Sequence, residues 1–260
     1  MTTPKPDLRL SVVVPTYGRS GLIRALLDAL RDQTLPPVQF EVIAVDDGSP
    51  EPVRVEPAGY PFALRLLRQE NAGPGAARNL AFEHCRAPLV LILNDDAVPA
   101  PDLLEGHVRA HADCPEKTAV LGTFHFSPDV MDSPFIRLLD GTHLLFDFPG
   151  LRPGERHDWR FFWTCNMSLP LRAVREVGGF DSESFREAIV EDVELGYRLE
   201  QEGWGILHRD DLVCHHRHRL SPTSYFDRMV RLGVNLVRMW KKHRDPQVLW
   251  MGEQGFNSFL

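Results

Sequence analysis

The residues best suited to chemistry stand in short clusters. The sharpest is Asn94-Asp95-Asp96, directly after the apolar run LVLIL at 89–93. Adjacent carboxylates repel and gain little structurally. Hard oxygen ligands at the end of a buried strand suit Mg2+ or Mn2+, above all where a diphosphate supplies the remaining ligands. Two more polar clusters follow apolar runs: Pro15-Thr16-Tyr17-Gly18-Arg19 after LSVVV at 10–14, and Asp46-Asp47-Gly48-Ser49 after FEVIAV at 40–45. Ligands of open α/β sheets bind at the carboxyl ends of strands, where all three clusters stand.

Residues 71–79 read NAGPGAARN. Glycines there permit a tight turn, a helix N-terminus favours an anion, and Arg78, one turn in, is within reach of a phosphate. The stretch is not the dinucleotide fingerprint, because Arg78 stands where its last glycine belongs. In a helix over 191–202, closed by Gly203, the residues Asp192, Leu195, Gly196 and Leu199 share one stripe. Glu191, Glu194 and Arg198 share another, with Glu194 and Arg198 expected to face water. A carboxylate at the head of a buried stripe is either a helix cap or a general base, and the helix N-terminus keeps it ionised. In VCHHRH at 213–218, alternation puts His216 and His218 on one face and His215 on the other. This suits metal or phosphate contact, or else a solvated strand end.

The elements that must hold these groups follow from periodicity. Strands are expected at 10–14, 40–45, 64–67, 89–93, 119–126 and 161–169. Helices are expected from a Ser20 cap to 31, at 75–85, 101–112 and 191–202, and over 221–243. Residues 127–158 give no clear pattern. Strands and helices alternating in the first hundred residues predict a doubly wound, mostly parallel α/β sheet. One domain is expected: a nucleotide-binding half over about 10–100, an acceptor and metal half over about 101–220, and a C-terminal helix and tail over 221–260.

The 260 residues are 43% apolar and 25% charged, the balance of a folded globular chain. The net charge of -7 makes nucleic acid a poor partner. No apolar run reaches the length of a membrane span, and MTTPKPDLRL lacks a signal-peptide core, so a cytoplasmic location is expected. Cys85, Cys114, Cys165 and Cys214 are widely spaced and read as isolated thiols. The helix at 221–243 has an apolar stripe and basic residues, including Arg228, Arg231, Arg238 and Lys241. Two readings stand for it: packing on its own domain, or peripheral contact with an anionic membrane.

As a set, VVVPTYGR (12–19), VIAVDDGS (42–49), NAGPGAARN (71–79), LILNDDA (91–97), CNMSLPLRAVREVGGFD (165–181) and VEDVELGYRLEQEGW (190–204) resemble the family-2 inverting glycosyltransferases of GT-A fold. The motifs occur in the family's order. The resemblance implies a GT-A-type sheet flanked by helices and a nucleotide diphosphate sugar donor, a UDP-sugar by default. The acceptor would be a glycan, a lipid-linked compound or a small molecule, and the cofactor a divalent metal, Mn2+ or Mg2+. It implies that Pro15, Tyr17 and Asp47, with Thr16 and Arg19 beside them, hold the nucleotide, with Arg78 nearby. Asn94, Asp95 and Asp96 match the D-x-D region, with Asn94 in place of the more usual first Asp and Asp96 as metal ligand. His215 matches a late histidine that completes the metal site, with His216 a close rival. Gly179, Phe180, Asp181 and Glu191 match acceptor-side positions, and Asp192 matches the family's base.

Two other functions share parts of this pattern. A sugar-1-phosphate nucleotidyltransferase would need a Gly-rich, Arg-containing loop after the first strand, and PTYGRSG is short of glycine. A catalytically weak nucleotide-sugar or glycan-binding protein would be consistent with Asn94.

Overall fold

The computed structural model describes residues 7–248, except 143, 147 and the side chain of 149. Among the described residues, nine strands form one sheet; numbered β1 to β9 in chain order, with the ranges given next, they lie in the order β3-β2-β1-β4-β8-β6-β9-β5, with β7 paired to β9. The first four are β1 (Leu10–Thr16), β2 (Phe40–Asp46), β3 (Ala63–Arg68) and β4 (Leu89–Leu93). They pair in parallel. The central strands β1, β2 and β4 are largely apolar because helices cover both faces: Val12, Val13, Ile43 and Leu91 are wholly buried. Helix α1 (Ser20–Ala29) packs with the face holding Val12 and Val14, and α2 (Pro74–His84) with the face holding Val13 and Ile43.

Beyond β4 the sheet becomes mixed. The later strands are β5 (Ala97–Pro99), β6 (Thr118–Phe126), β7 (Arg156–His157), β8 (Asn166–Pro170) and β9 (Gly205–His216). Strand β8 is antiparallel to both β4 and β6, while β6 and β9 are parallel. Helices α3 (Leu103–Asp113), α4 (Pro134–Asp140), α5 (Leu171–Glu176), α6 (Glu191–Gln201) and α7 (Pro222–His243) complete the chain.

Several expectations need correction. Ser20 is the first helical residue of α1 and not its cap; Arg19 holds the cap position, with no side-chain hydrogen bond there. The strand expected over 161–169 is confined to 166–170, because Trp159–Phe161 form a 3-10 turn whose neighbour Phe162 fills the core. The three-residue β5 and the short α5 have no signal strong enough to be read in advance. Ser221 does cap α7, through a reciprocal capping box with Ser224.

Helix α7 packs on its own chain through Tyr225, Leu236 and Met239. Its other face leaves Phe226, Val230, Val234 and Val237 exposed. All four cysteines are free thiols. Among the described residues, no helix is long and apolar enough to cross a membrane.

Candidate active site

The parallel register brings the polar clusters together. Thr16 is level with Asp46, and Asp46 with Arg68, at the carboxyl ends of β1, β2 and β3. Strand β4 ends beside them and delivers Asn94, Asp95 and Asp96. A cleft of about 350 Å3 opens over these ends. Pro15, Thr16, Tyr17, Arg19, Asp47, Arg78, Asn94, Asp95, Asp96, Glu191 and Asp192 all border it. Residues from every part of the chain thus converge on one place.

The acidic pair sits at the floor. Asp95 accepts a hydrogen bond from Thr16 Oγ1 at 2.7 Å. Burial and the neighbouring Asp96 charge push its carboxyl up to about 6, against the pull of Arg19. Asp96 is equally buried, yet its carboxyl is held below the ordinary range. Burial opposes this, but His216 and Arg19 outweigh it. His216 Nε2 lies 2.9 Å from Asp96 Oδ2, and Phe124 and Phe126 pack on the imidazole. The Arg19 guanidinium stands 3.2 Å from Asp95 and 3.1 Å from Asp96. It places a positive charge where a metal ion would be attracted. Asp96 Oδ1 is buried with no partner.

These observations fit a hard divalent cation. Asp96 offers an unused oxygen and His216 a nearby nitrogen. Among the described residues, no group of three His, Cys, Asp or Glu side chains could hold a metal alone. The fit therefore requires further ligands from a bound anion, as a diphosphate would provide.

His215, the matched metal residue, does not border the cleft, whereas His216 does. The reason is strand alternation: His215 is level with Val98 in β5, and only the other face of β9 points inward. His218 also reaches the cleft.

Asp47 borders the cleft, but its carboxylate is already saturated. It accepts from Gln69 Nε2 at 2.7 Å, Asn71 Nδ2 at 3.2 Å, Ala72 N at 3.0 Å and Gly73 N at 2.9 Å. It fixes the turn that starts α2. Gly73 adopts φ +94°, and a Cβ there would meet the Arg186 carbonyl oxygen at 2.0 Å. Only glycine suits both the dihedral and the close approach.

Arg78 points from α2 to α6. Its Nη1 donates to Glu191 Oε1 at 2.9 Å, and both side chains are almost wholly buried. Burial and the adjacent Asp192 raise the Glu191 carboxyl, while Arg78 opposes the rise. Arg78 Nε and Glu191 Oε2 have no partner.

Asp192 is half-buried, with its oxygens near Thr164 N at 3.3 Å and Val193 N at 2.9 Å. The cap position belongs to Val190, so Asp192 is not the helix cap. Val190 has φ +74°, a strained conformation for a β-branched residue. It sets the direction from which Glu191 and Asp192 enter the site. Cys165 lies between the two flanks: burial and the charges of Asp192 and Asp96 push its thiol up.

One expectation about α6 fails. Glu194 does not face water. It is wholly buried beneath the end of α7, where Arg198, Lys242 and His243 all contact it. Long-range packing of α7 decided this, and no local pattern in α6 shows it. Gly179, Phe180 and Asp181 do not border the cleft. Phe180 stacks on Phe82, Asp181 pairs with Lys242, and a Cβ on Gly179 would strike Asn79. They support α2 and α6 from behind. Sequence reasoning also missed Arg228, which borders the cleft from α7. Its only signal was a basic residue near the packed side of an amphipathic helix.

The model of Glycosyl transferase family 2 matches residues 11–177. The chain is 34% identical to validoxylamine A glucosyltransferase of Streptomyces hygroscopicus subsp. limoneus, over 93% of this chain and 58% of that protein. The protein of the same name in subspecies jinggangensis is 33% identical, over 93% and 63%. The chain therefore spans about three fifths of the length of these relatives. Among solved structures, it is similar to a mannosyltransferase of Pyrobaculum calidifontis in complex with GDP-Man and Mn2+. The TM-score is 0.65 at 24% identity, covering 94% of this chain and 67% of that one. It is also similar to S. aureus TarS 1-349 in complex with UDP, with a TM-score of 0.60 at 20% identity, covering 88% and 66%. The fold is that of the GT-A nucleotide-sugar transferases, and with the family match and the motif order, the chain belongs to glycosyltransferase family 2.

Proposed function

We propose that the protein is an inverting glycosyltransferase that moves a sugar from a nucleotide diphosphate sugar to an acceptor hydroxyl. The observation that carries this reading is one cleft that Asp96, His216 and Asp192 all border, with His216 against Asp96. Such a cleft can stabilise a leaving diphosphate and take a proton from an attacking hydroxyl at once. Relatives named as glucosyltransferases, and neighbours solved with UDP or GDP-Man, support the donor class.

Each residue has a role in this account. Pro15 and the half-exposed ring of Tyr17 frame the base and ribose. Asp47 acts through the loop it fixes. Arg78 and Glu191 turn their unpartnered atoms toward the donor sugar. Asp96 and His216 would hold a divalent cation together with the diphosphate, and such a cation would supply Lewis-acid stabilisation of the leaving group. Arg19 must then yield its place beside Asp96, and Arg228 adds a further positive charge to the cleft. The acceptor oxygen bonds to the anomeric carbon as the bond to the diphosphate oxygen breaks. The electron pair leaves with the diphosphate, and the proton passes to Asp192. One displacement inverts the configuration.

A thermal-shift panel of nucleotides and nucleotide sugars, with and without Mn2+, tests the donor reading. A ligand at 100 times its dissociation constant should stabilise the fold by about 2.7 kcal/mol. Absence of any nucleotide-dependent shift would contradict it.

A further inference from the structure

A second cleft, of about 450 Å3, adjoins the first across a wall made by Leu145, Phe146 and His216, which border both. Its volume lies in the range of small-molecule sites. Its chemistry differs sharply from that of its neighbour. The first cleft has Arg19, Arg78 and Arg228 beside its carboxylates. Among the described residues, no lysine or arginine borders the second, while Asp140 and Asp210 do. Phe124, Phe146 and Phe148 supply aromatic surface, and Phe146 packs on both of the others.

One residue of the lining also carries a buried polar atom without a partner. His208 is buried, and its Nε2 is engaged with Thr123 Oγ1 at 3.2 Å. Its Nδ1 is buried and has no partner. A buried polar atom without a partner costs free energy that a bound hydroxyl would recover.

We propose that this cleft is the acceptor subsite, and that its ligand is a polyhydroxylated ring compound, neutral or amine-bearing, without phosphate. The inference rests on the transferase reading above. Aromatic faces pack against the C–H faces of such rings. The carboxylates of Asp140 and Asp210 accept hydrogen bonds from hydroxyl or ammonium groups, and His208 pairs with a further hydroxyl. A phosphate would meet two carboxylates and no permanent cation, so it is selected against. The two clefts thus divide the work: the one that offers arginines and a cation position takes the diphosphate, and the aromatic one without arginine or lysine takes the acceptor. The reacting hydroxyl reaches Asp192 past the Leu145–Phe146 rim.

The test is saturation-transfer NMR with maltose, glucosamine and glucose 6-phosphate as probes, run beside calorimetry of UDP with Mn2+. Maltose and glucosamine should bind, and glucose 6-phosphate should not. Phe148→Ala should weaken both sugars about tenfold, and Asp210→Asn should weaken glucosamine about tenfold, with UDP binding unchanged. Asp210 is exposed, so its substitution leaves the fold intact. Binding of glucose 6-phosphate as tight as that of glucosamine would overturn the proposal, as would sugar binding indifferent to both substitutions. If wild-type protein fails to bind UDP while the sugars still bind and respond to the variants, the donor reading fails and the second cleft stands.

Discussion

Arg78 and Glu191 are 113 positions apart in sequence, yet their side chains meet at 2.9 Å in the floor of the cleft. The pair ties α2, which follows the glycine turn, to α6, which carries Asp192. Each partner also has one buried polar atom with no hydrogen-bond partner.

Removing one partner should have unequal effects. Glu191→Leu leaves a buried guanidinium that cannot lose its charge, a loss of about 3–5 kcal/mol. Arg78→Met leaves Glu191, whose carboxyl is already raised and can take up a proton. The second variant should therefore be the more stable of the two by urea unfolding at pH 7. Equal stabilities would show that the pair's charge asymmetry is unimportant.

Gly73→Ala should destabilise the protein by roughly 2–3 kcal/mol. The added Cβ meets the Arg186 carbonyl, and the left-handed dihedral adds strain. Gly18→Ala is a useful contrast, since its φ is also positive but nothing lies within 4 Å of its Cβ. Comparable melting temperatures for the two variants would locate the cost in the dihedral alone.

Metal dependence should run through Asp96. In calorimetry, Mn2+ should tighten UDP binding to the wild-type protein. Asp96→Ala should remove that gain, and His216→Ala should reduce it. His215→Ala should leave it unchanged, because His215 stands on the other side of β9. An equal effect of both histidines would contradict the assignment.

The imidazoles behind the sheet predict acid sensitivity. His107 and His111 both hydrogen-bond Ser168 Oγ, at 2.7 and 2.9 Å. Burial lowers His107 to about 3 and His111 to about 4. Unfolded, each would bind a proton near pH 6.5, so the unfolded state gains protons first as pH falls. Their contribution is complete above pH 6.5 and is lost as pH falls toward those lower values. For His111 the loss is roughly 2–3 kcal/mol between pH 6.5 and 4. His111→Gln should flatten the fall in urea midpoint over that range, whereas parallel curves for variant and wild type would refute the assignment.

The strand ends were legible in sequence because unbroken β-branched runs stop at polar clusters, and parallel register then forces those clusters together. Asp95 and Asp96 follow from that logic, Arg78 from the glycine turn before its helix, and Asp192 from the helical stripe it heads. The failures share one cause. Glu194 lies on a face that local periodicity assigns to solvent, but the far end of α7 covers it. Gly179, Phe180 and Asp181 match acceptor-side positions in linear order but pack outside the cleft, where Asn79, Phe82 and Lys242 arrive from other elements. Arg228 reaches the cleft only because α7 folds back over α6. Local pattern carries strands and turns; it does not carry which distant helix covers which face.

Asp192 tests the central claim most directly. Asp192→Asn preserves shape and removes the basic oxygen. Turnover of a nucleotide sugar, followed as nucleotide diphosphate release with polyol acceptors or water, should fall by about 10²–10⁴-fold. UDP affinity and melting temperature should stay near wild-type values, because the base acts on the acceptor and not on the nucleotide. Near-normal turnover by Asp192→Asn, at unchanged UDP affinity, would contradict the account.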